Sequence, residues 1–190
     1  MAAVENFENW GISDLYFSVM AADGTYGTPH HQENAVSLSE TPEESNNNRD
    51  AADNKEVFGS SSELVTFNLE VTKFDNWFKT SILGYIEEGD GLGIGDGTPK
   101  HFAMMVQNEG DEGPERSVWY DCTSSGISKT RQTTDVDGNY TFAHETVTIT
   151  ARKVTLPNDE RRLGWSCSKG STNYASFFTA VYYPAASNNG

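Results

Sequence analysis

A mainly β, antiparallel domain is what this sequence predicts, on three observations. Apolar and polar residues alternate with period two along several segments. Those segments are rich in Val, Ile, Thr and aromatic residues, and clusters of Gly, Pro, Asn and Asp separate them. The 190 residues are the length of one domain, and 10 Phe, 8 Tyr and 4 Trp supply the large apolar area that a hydrophobic content of 36% otherwise leaves scarce. The expected architecture is an antiparallel β-sandwich or partial barrel of about seven to eight strands with one short α-helix packed on the sheet, in a single domain over 1–190.

Taken in order, Asp14 to Met20 places Leu15, Phe17 and Val19 on one face of a first strand. Ala35 to Glu40 is a short second one. From Thr41 to Glu56 (TPEESNNNRDAADNKE) no apolar side chain exceeds alanine, which predicts a long polar loop unable to bury itself. Ser62 to Val71 is the clearest strand: Val65, Phe67, Leu69 and Val71 face one way, and Thr66, Asn68 and Glu70 the other. In Thr72 to Gly84 the apolar Phe74, Trp77, Phe78 and Ile82 recur at three- and four-residue spacing, predicting an amphipathic helix of about three turns whose aromatic stripe packs into the core. Thr72 and Asp75 form its start signal and Gly84 its left-handed end. Glu87 to Pro99 (EEGDGLGIGDGTP) reads as a flexible Gly-rich connector, because a phosphate loop needs GK[S/T] before a helix and an EF-hand needs spaced oxygen ligands ending in Glu. Phe102 to Asn108 follows as a strand, then Arg116 to Thr123 with Val118, Tyr120 and Cys122 inward. His144 to Arg152 turns Val147, Ile149 and Ala151 inward and Thr146, Thr148, Thr150 and Arg152 outward. Phe177 to Tyr183 is the last short strand, within a C-terminal extension over 171–190.

The net charge of −15, from 13 basic and 28 acidic residues, excludes a free-standing basic grip on DNA phosphate. Most of the acidity lies before Gly95, where 4 basic residues face 17 acidic ones. The start of the chain offers acid and amide where a secretion signal needs basic residues and an apolar stretch, so none is expected, and no run approaches a membrane span. Cys122 and Cys167 stand far apart without a CxxC or a nearby His pair, which points to reduced thiols and no metal site. His30 and His31 are adjacent and point to opposite faces of an extended chain. Neither His101 nor His144 is brought by sequence to a nucleophile, and no G-x-S-x-G is present. No enzymatic activity and no cofactor are expected.

Several blocks occur in register. Gly11-Ile12-Ser13-Asp14-Leu15-Tyr16-Phe17 is followed by Tyr26-Gly27-Thr28-Pro29, by Ala35-Val36-Ser37-Leu38-Ser39 with Pro42-Glu43, and by Ile82-Leu83-Gly84. Then come Phe102-Ala103-Met104-Met105, Tyr120-Asp121-Cys122-Thr123, Glu145-Thr146-Val147-Thr148-Ile149-Thr150-Ala151 and the aromatic Tyr174-Ala175-Ser176-Phe177-Phe178. In order and spacing the chain resembles the major tail proteins of long, non-contractile-tailed bacteriophages, across nearly its whole length. It departs where that family carries an aromatic just before Ala-Asp-Asn and this chain has Asp50-Ala51-Ala52-Asp53-Asn54. Gly89 to Gly97 and Leu156 to Ser171 match none of the blocks.

The resemblance implies a structural virion protein that closes into hexameric rings, stacked into the hollow tube through which double-stranded DNA passes. Its partners are other copies of itself, a tape-measure protein, a tail terminator and tail-tip or baseplate proteins, with DNA only in transit. The setting is the virion tail, assembled in the host cytoplasm. Six copies carry about ninety negative charges per ring, screened beyond about 8 Å at physiological salt. Candidate lumen-facing acids are Glu40, Glu63 and Glu70. The candidate ring-stacking loop holds Ser45, Asn46, Asn47, Asn48, Arg49, Asp50 and Asp53, with Val57 and Phe58 at its base. The C-terminal aromatics Phe177, Phe178, Tyr182 and Tyr183 are packing residues, within one subunit or between two. Two other readings compete: a tail terminator or baseplate hub of the same fold, and a monomeric carbohydrate-binding β-sandwich stacking sugars on Trp10, Trp119 or Trp165.

Overall fold

The computed structural model describes residues 9–43, 63–95, 97–111, 113–129, 143–156 and 160–184. The stacking-loop residues Ser45, Asn46, Asn47, Asn48, Arg49, Asp50, Asp53, Val57 and Phe58 lie outside the described residues. Among those described, thirteen strands follow one another: β1 (Asn9–Val19), β2 (His30–His31), β3 (Ala35–Glu43), β4 (Leu64–Val71), β5 (Ile86–Glu88), β6 (Gly91–Gly93), β7 (Phe102–Gly110), β8 (Glu115–Ser124), β9 (Ser128–Lys129), β10 (Glu145–Arg152), β11 (Val154–Thr155), β12 (Arg161–Arg162) and β13 (Gly164–Ser168). The fold is mainly β and antiparallel. Nine strands form one sheet, in the order β2-β1-β7-β8-β10-β4-β3, with β13 also paired to β8 and β9 to β10. β3 comes back alongside β1, so the sheet curls into a partial barrel. The pairs β5–β6 and β11–β12 stand apart as separate two-stranded hairpins. The polar stretch predicted to begin at Thr41 therefore starts as strand, because β3 continues to Glu43 opposite Leu64.

The alternation read from sequence becomes two cores, one on each face of the sheet. Inside the curl, Leu15 and Phe17 meet Val65, Phe67, Leu69 and Val71, along with Phe102, Met104, Val106, Val147, Ile149 and Ala151. Phe17 packs edge-on to Phe102 at 5.5 Å and against Phe78 at 5.0 Å. Each such fully buried apolar side chain contributes about 1.5–3 kcal/mol. Outside the curl, Ala103, Met105, Val118 and Tyr120 form a second core with Leu156, Cys167 and Phe177. β7 lies between the two, and Phe102 to Gln107 are buried without interruption.

One residue lets β8 serve both cores. Asp121 takes φ +43, a left-handed conformation rare outside glycine, and the β7–β8 register shifts between Phe102 and Met104. The extra residue turns Cys122 inward while Val118 and Tyr120 face outward, so these three do not share one face as simple alternation predicts. The bulge is held by His101, whose Nδ1 pairs with the Asp121 carboxylate, and by the Asp121 N–H donating to the Tyr26 hydroxyl at 3.1 Å.

The helix expected over Thr72 to Gly84 is much shorter. Only Asn76 to Ile82 is helical, as a wide turn (Phe78–Ile82) closed by the Leu83 N–H on the Phe78 carbonyl. Asp75, not Thr72, caps it, accepting from the Phe78 N–H at 2.8 Å. Phe74, Phe78 and Ile82 are fully buried and plug the open end of the inner core, whereas Trp77 is half-buried and stacks on the His30 ring at 4.2 Å. Gly84, at φ +76, ends the turn as its sequence position predicts.

Glu145 ties that turn to the sheet. One carboxylate oxygen accepts from the Phe74 N–H at 2.8 Å and lies 3.9 Å from Lys79 Nζ, and the other meets Lys129 Nζ at 2.5 Å. Lys79 in turn donates to the Phe74 carbonyl at 2.7 Å. The Gly-rich stretch is no loose connector: β5 and β6 pair in register Ile86–Gly93, Glu87–Leu92 and Glu88–Gly91, with Gly89 left-handed in the turn.

The last predicted strand is not one. Phe177–Thr179 is a 3-10 turn in a segment that runs over the outer core without joining the sheet. Its aromatics are already spent on packing: Phe178 stacks on Tyr16 at 4.4 Å, Tyr183 on Tyr120 at 5.6 Å, and Tyr182 lies 4.2 Å from Trp165. Arg116 reaches under Tyr174 and Phe178, 3.9 and 4.5 Å from their ring centres, and donates to the Tyr174 carbonyl. Phe177, Phe178, Tyr182 and Tyr183 thus pack within the chain. Truncation after Ser171 is expected to bare Ala103, Met105, Val118 and Tyr120, giving a product that binds a hydrophobic dye and aggregates. A soluble, dye-silent monomer in light scattering would show that the outer core stands without its cover.

Candidate functional site

The outward side chains of β3, β4 and β10 fall into register as a grid. Ser37 lies opposite Glu70, and Glu70 opposite Thr146. Ser39, Asn68 and Thr148 make the next row, and Thr41, Thr66 and Thr150 the third. Strand spacing of about 4.8 Å and period-two side chains bring each within reach of its neighbours. Thr148 Oγ1 donates to Asn68 Oδ1 at 3.2 Å, Ser37 Oγ to Glu70 Oε2 at 3.2 Å, and the Thr148 N–H to Ser125 Oγ at 2.9 Å. Hydroxyls and an amide therefore cover the face; Glu70 is the one ionisable residue among these nine positions. Its other oxygen meets His144 Nδ1 at 2.6 Å.

The three candidate lumen acids are not brought together. Glu70 belongs to the grid. Glu40 lies opposite Phe67, on the face of β3 away from the grid, where it stays exposed to solvent while partial desolvation raises its carboxyl above the ordinary range. Glu63 precedes β4 and is ion-paired to Lys153 at 3.3 Å and Arg161 at 3.0 Å, and hydrogen bonding from Lys153 is the main reason its carboxyl stays below the ordinary range. Of the three, only Glu70 lies on the hydroxyl face, where His144 and Ser37 pair with it. Sequence alternation exposed the Thr and Asn positions, but the pairing of His144 with Glu70 spans 74 residues and left no local signal.

All four histidines meet carboxylates: His30 with Asp75 at 2.5 Å, His31 with Asp14 at 3.5 Å, His101 with Asp121, and His144 with Glu70. Neither cysteine is disulfide-bonded; both are buried, and burial pushes both thiols above their ordinary range. Among the described residues no group of three or more His, Cys, Asp or Glu is placed to hold a metal ion. No helix among them is long and apolar enough to cross a membrane. Two open clefts of about 420 and 500 Å3 flank residues 31–34. Of the tryptophans proposed to stack on sugars, Trp119 packs edge-on to Phe67 at 4.9 Å and Trp165 lies against Phe177 and Tyr182, while the Trp10 side chain lies outside the described residues. No family model matches the chain, and no curated protein is significantly similar to it in sequence.

Proposed function

We propose that this chain is a structural subunit of a bacteriophage tail tube. Copies close into hexameric rings, the rings stack, and the Ser/Thr/Asn face of β3, β4 and β10 lines the bore through which double-stranded DNA slides. The observation that carries this reading is the composition of that face. Tight DNA binding needs Lys or Arg on phosphate; the nine grid positions hold none, and Arg152, the next outward residue of β10, stands at the edge of the face. Two further features support it. β3 is the terminal strand of the sheet, nine residues long, and although it comes alongside β1, among the described residues no strand pairs with its second edge. Such an edge is an aggregation liability unless a neighbouring subunit pairs with it. The net charge of −15 also suits a conduit that must not retain a polyanion. Tape-measure, terminator and tail-tip proteins are the expected partners.

Negative-stain microscopy with sedimentation velocity at rising concentration tests the assembly: hollow tubes or six-subunit rings are expected, with or without a tail-tip nucleus. A permanent monomer in both settings would sink the reading. Thr148→Lys tests the bore, since Thr148 is exposed at the centre of the grid. The variant should fold and form tubes of normal diameter that retain double-stranded DNA at low salt and release it as salt rises, whereas parent tubes retain none. Variant tubes as indifferent to DNA as the parent would move the bore to another face.

A further inference from the structure

Outside the main sheet the chain carries two small hairpins of opposite chemistry. β5–β6 presents Glu87, Glu88 and Asp90, all exposed. It also leaves Ile86 50% and Ile94 78% exposed, two of the three large apolar residues so exposed among those described. Two exposed isoleucines and three exposed carboxylates thus share one small hairpin and its foot. β11–β12 is the counterpart. Arg161 and Arg162 form β12, with Arg152 and Lys153 immediately before β11. Among the described side chains at this end of the sheet four cations stand against two carboxylates, Glu63 and Glu160, which pair with Lys153, Arg161 and Arg162. Half-buried Val154 and Leu163 lie among these cations.

The placement of the two hairpins is as informative as their charge. β5–β6 is rooted on the helical turn, where Gly84 and Gly97 touch and the Tyr85 N–H donates to the Lys79 carbonyl. That turn is bound to Glu145, the first residue of β10, while β11 begins just after Arg152, the last. The hairpins are therefore anchored at opposite ends of one eight-residue strand, about 24 Å apart along it. Complementary patches at opposite ends of one chain make a head-to-tail contact, which propagates from copy to copy instead of closing a two-fold dimer.

We propose that the β5–β6 hairpin of one copy docks on the β11–β12 hairpin of the next, setting Glu87, Glu88 and Asp90 against Arg152 and Arg161 and covering Ile86 and Ile94. The identity of the occupant, a second copy, rests on the reading of this chain as a self-assembling subunit. The contact itself rests on charge and exposure.

Reciprocal charge exchange tests it, read by sedimentation velocity over a concentration series at low and high salt. The parent should self-associate, less so as salt rises. Glu87→Lys with Glu88→Lys, or Arg152→Glu with Arg161→Glu, should each raise the concentration needed at least about tenfold, and all four changes together should restore it. Ile94→Ser, at a residue whose exposure makes it dispensable for folding, should give a similar loss with an unchanged melting temperature. Association indifferent to both exchanges, no recovery in the combined variant, or a parent that stays monomeric at every concentration would overturn the contact. Its failure is separable from that of the tail-tube reading. Hollow tubes formed equally well by all variants would remove the contact and keep the tube, and salt-sensitive chains of subunits without a bore would do the reverse.

Discussion

Glu145→Gln is expected to lower stability by about 3–5 kcal/mol, the cost of removing one partner from a buried ion pair, or about 6–20 °C in melting temperature for a domain of this size. Both Glu145 and Lys79 are nearly inaccessible, 7% and 6% exposed. Burial is the largest influence on each. It disfavours the Lys79 ammonium, whose pKa falls below the ordinary lysine value. It also opposes ionisation of Glu145, but hydrogen bonds from Lys129 and the Phe74 N–H, with attraction to Lys79, outweigh it and hold that carboxyl below its ordinary range. A carboxylate depressed in the folded state stabilises fully above its unfolded pKa, near 4.5, and that contribution is lost as pH falls through the lower folded value. The parent should therefore lose melting temperature below about pH 4.5 more steeply than Glu145→Gln. Lys79→Met, which removes the charge that burial disfavours and leaves Glu145 its bonds to Lys129 and Phe74, should cost clearly less. A scan in which Glu145→Gln melts within about 1 kcal/mol of the parent would show that the helical turn is held by its aromatics alone.

The second large effect is expected at Gly97. A Cβ there would fall 1.5 Å from the Gly84 carbonyl oxygen, and a Cβ on Gly84 would fall 2.8 Å from the Thr98 carbonyl oxygen. Backbone meets backbone at this point, so no side-chain rearrangement relieves the clash, and Gly84 is additionally left-handed. Gly97→Ala should cost about 3 kcal/mol, at or above the upper end of ordinary overpacking, because the foot of the β5–β6 hairpin must separate from the helical turn. Gly95→Ala is the matched control two residues away, with nothing within 4 Å of the added Cβ. It should be neutral or slightly stabilising through the unfolded chain. Equal melting temperatures for the two variants would place the hairpin free of the turn.

Strands with one solvated face were legible because burial on a sheet has period two, and of the predicted Ser62 to Val71 the residues Leu64 to Val71 form β4 with Val65, Phe67, Leu69 and Val71 buried. The same rule failed where a face changed partners. Arg116 to Thr123 reads as a single alternation, yet Asp121 inserts one residue and sends Cys122 to the other core. Phe177 to Tyr183 has the composition of a strand, but its rings are taken up by Tyr16, Tyr120 and Trp165 on the outside of the sheet. Helical spacing in Thr72 to Gly84 identified which residues go inside without revealing that Phe74 gets there before the helix begins. The hydroxyl grid was half legible. Alternation in Ser62 to Val71 and His144 to Arg152 exposed the Thr and Asn positions, but which of them share a row depends on register, a property of two strands 80 residues apart.

The cover of the outer core has a consequence for synthesis. β7 and β8 form a hairpin whose apolar outer face waits for residues 174–183, more than fifty positions later in the chain. At a translation rate of about 5–20 residues per second, that face stands bare on the ribosome for several seconds after its strands emerge. Chaperones that hold exposed apolar strands have that interval in which to act. A chain interrupted before Tyr174 keeps that apolar face bare, and is expected to be held or degraded where the finished chain is not.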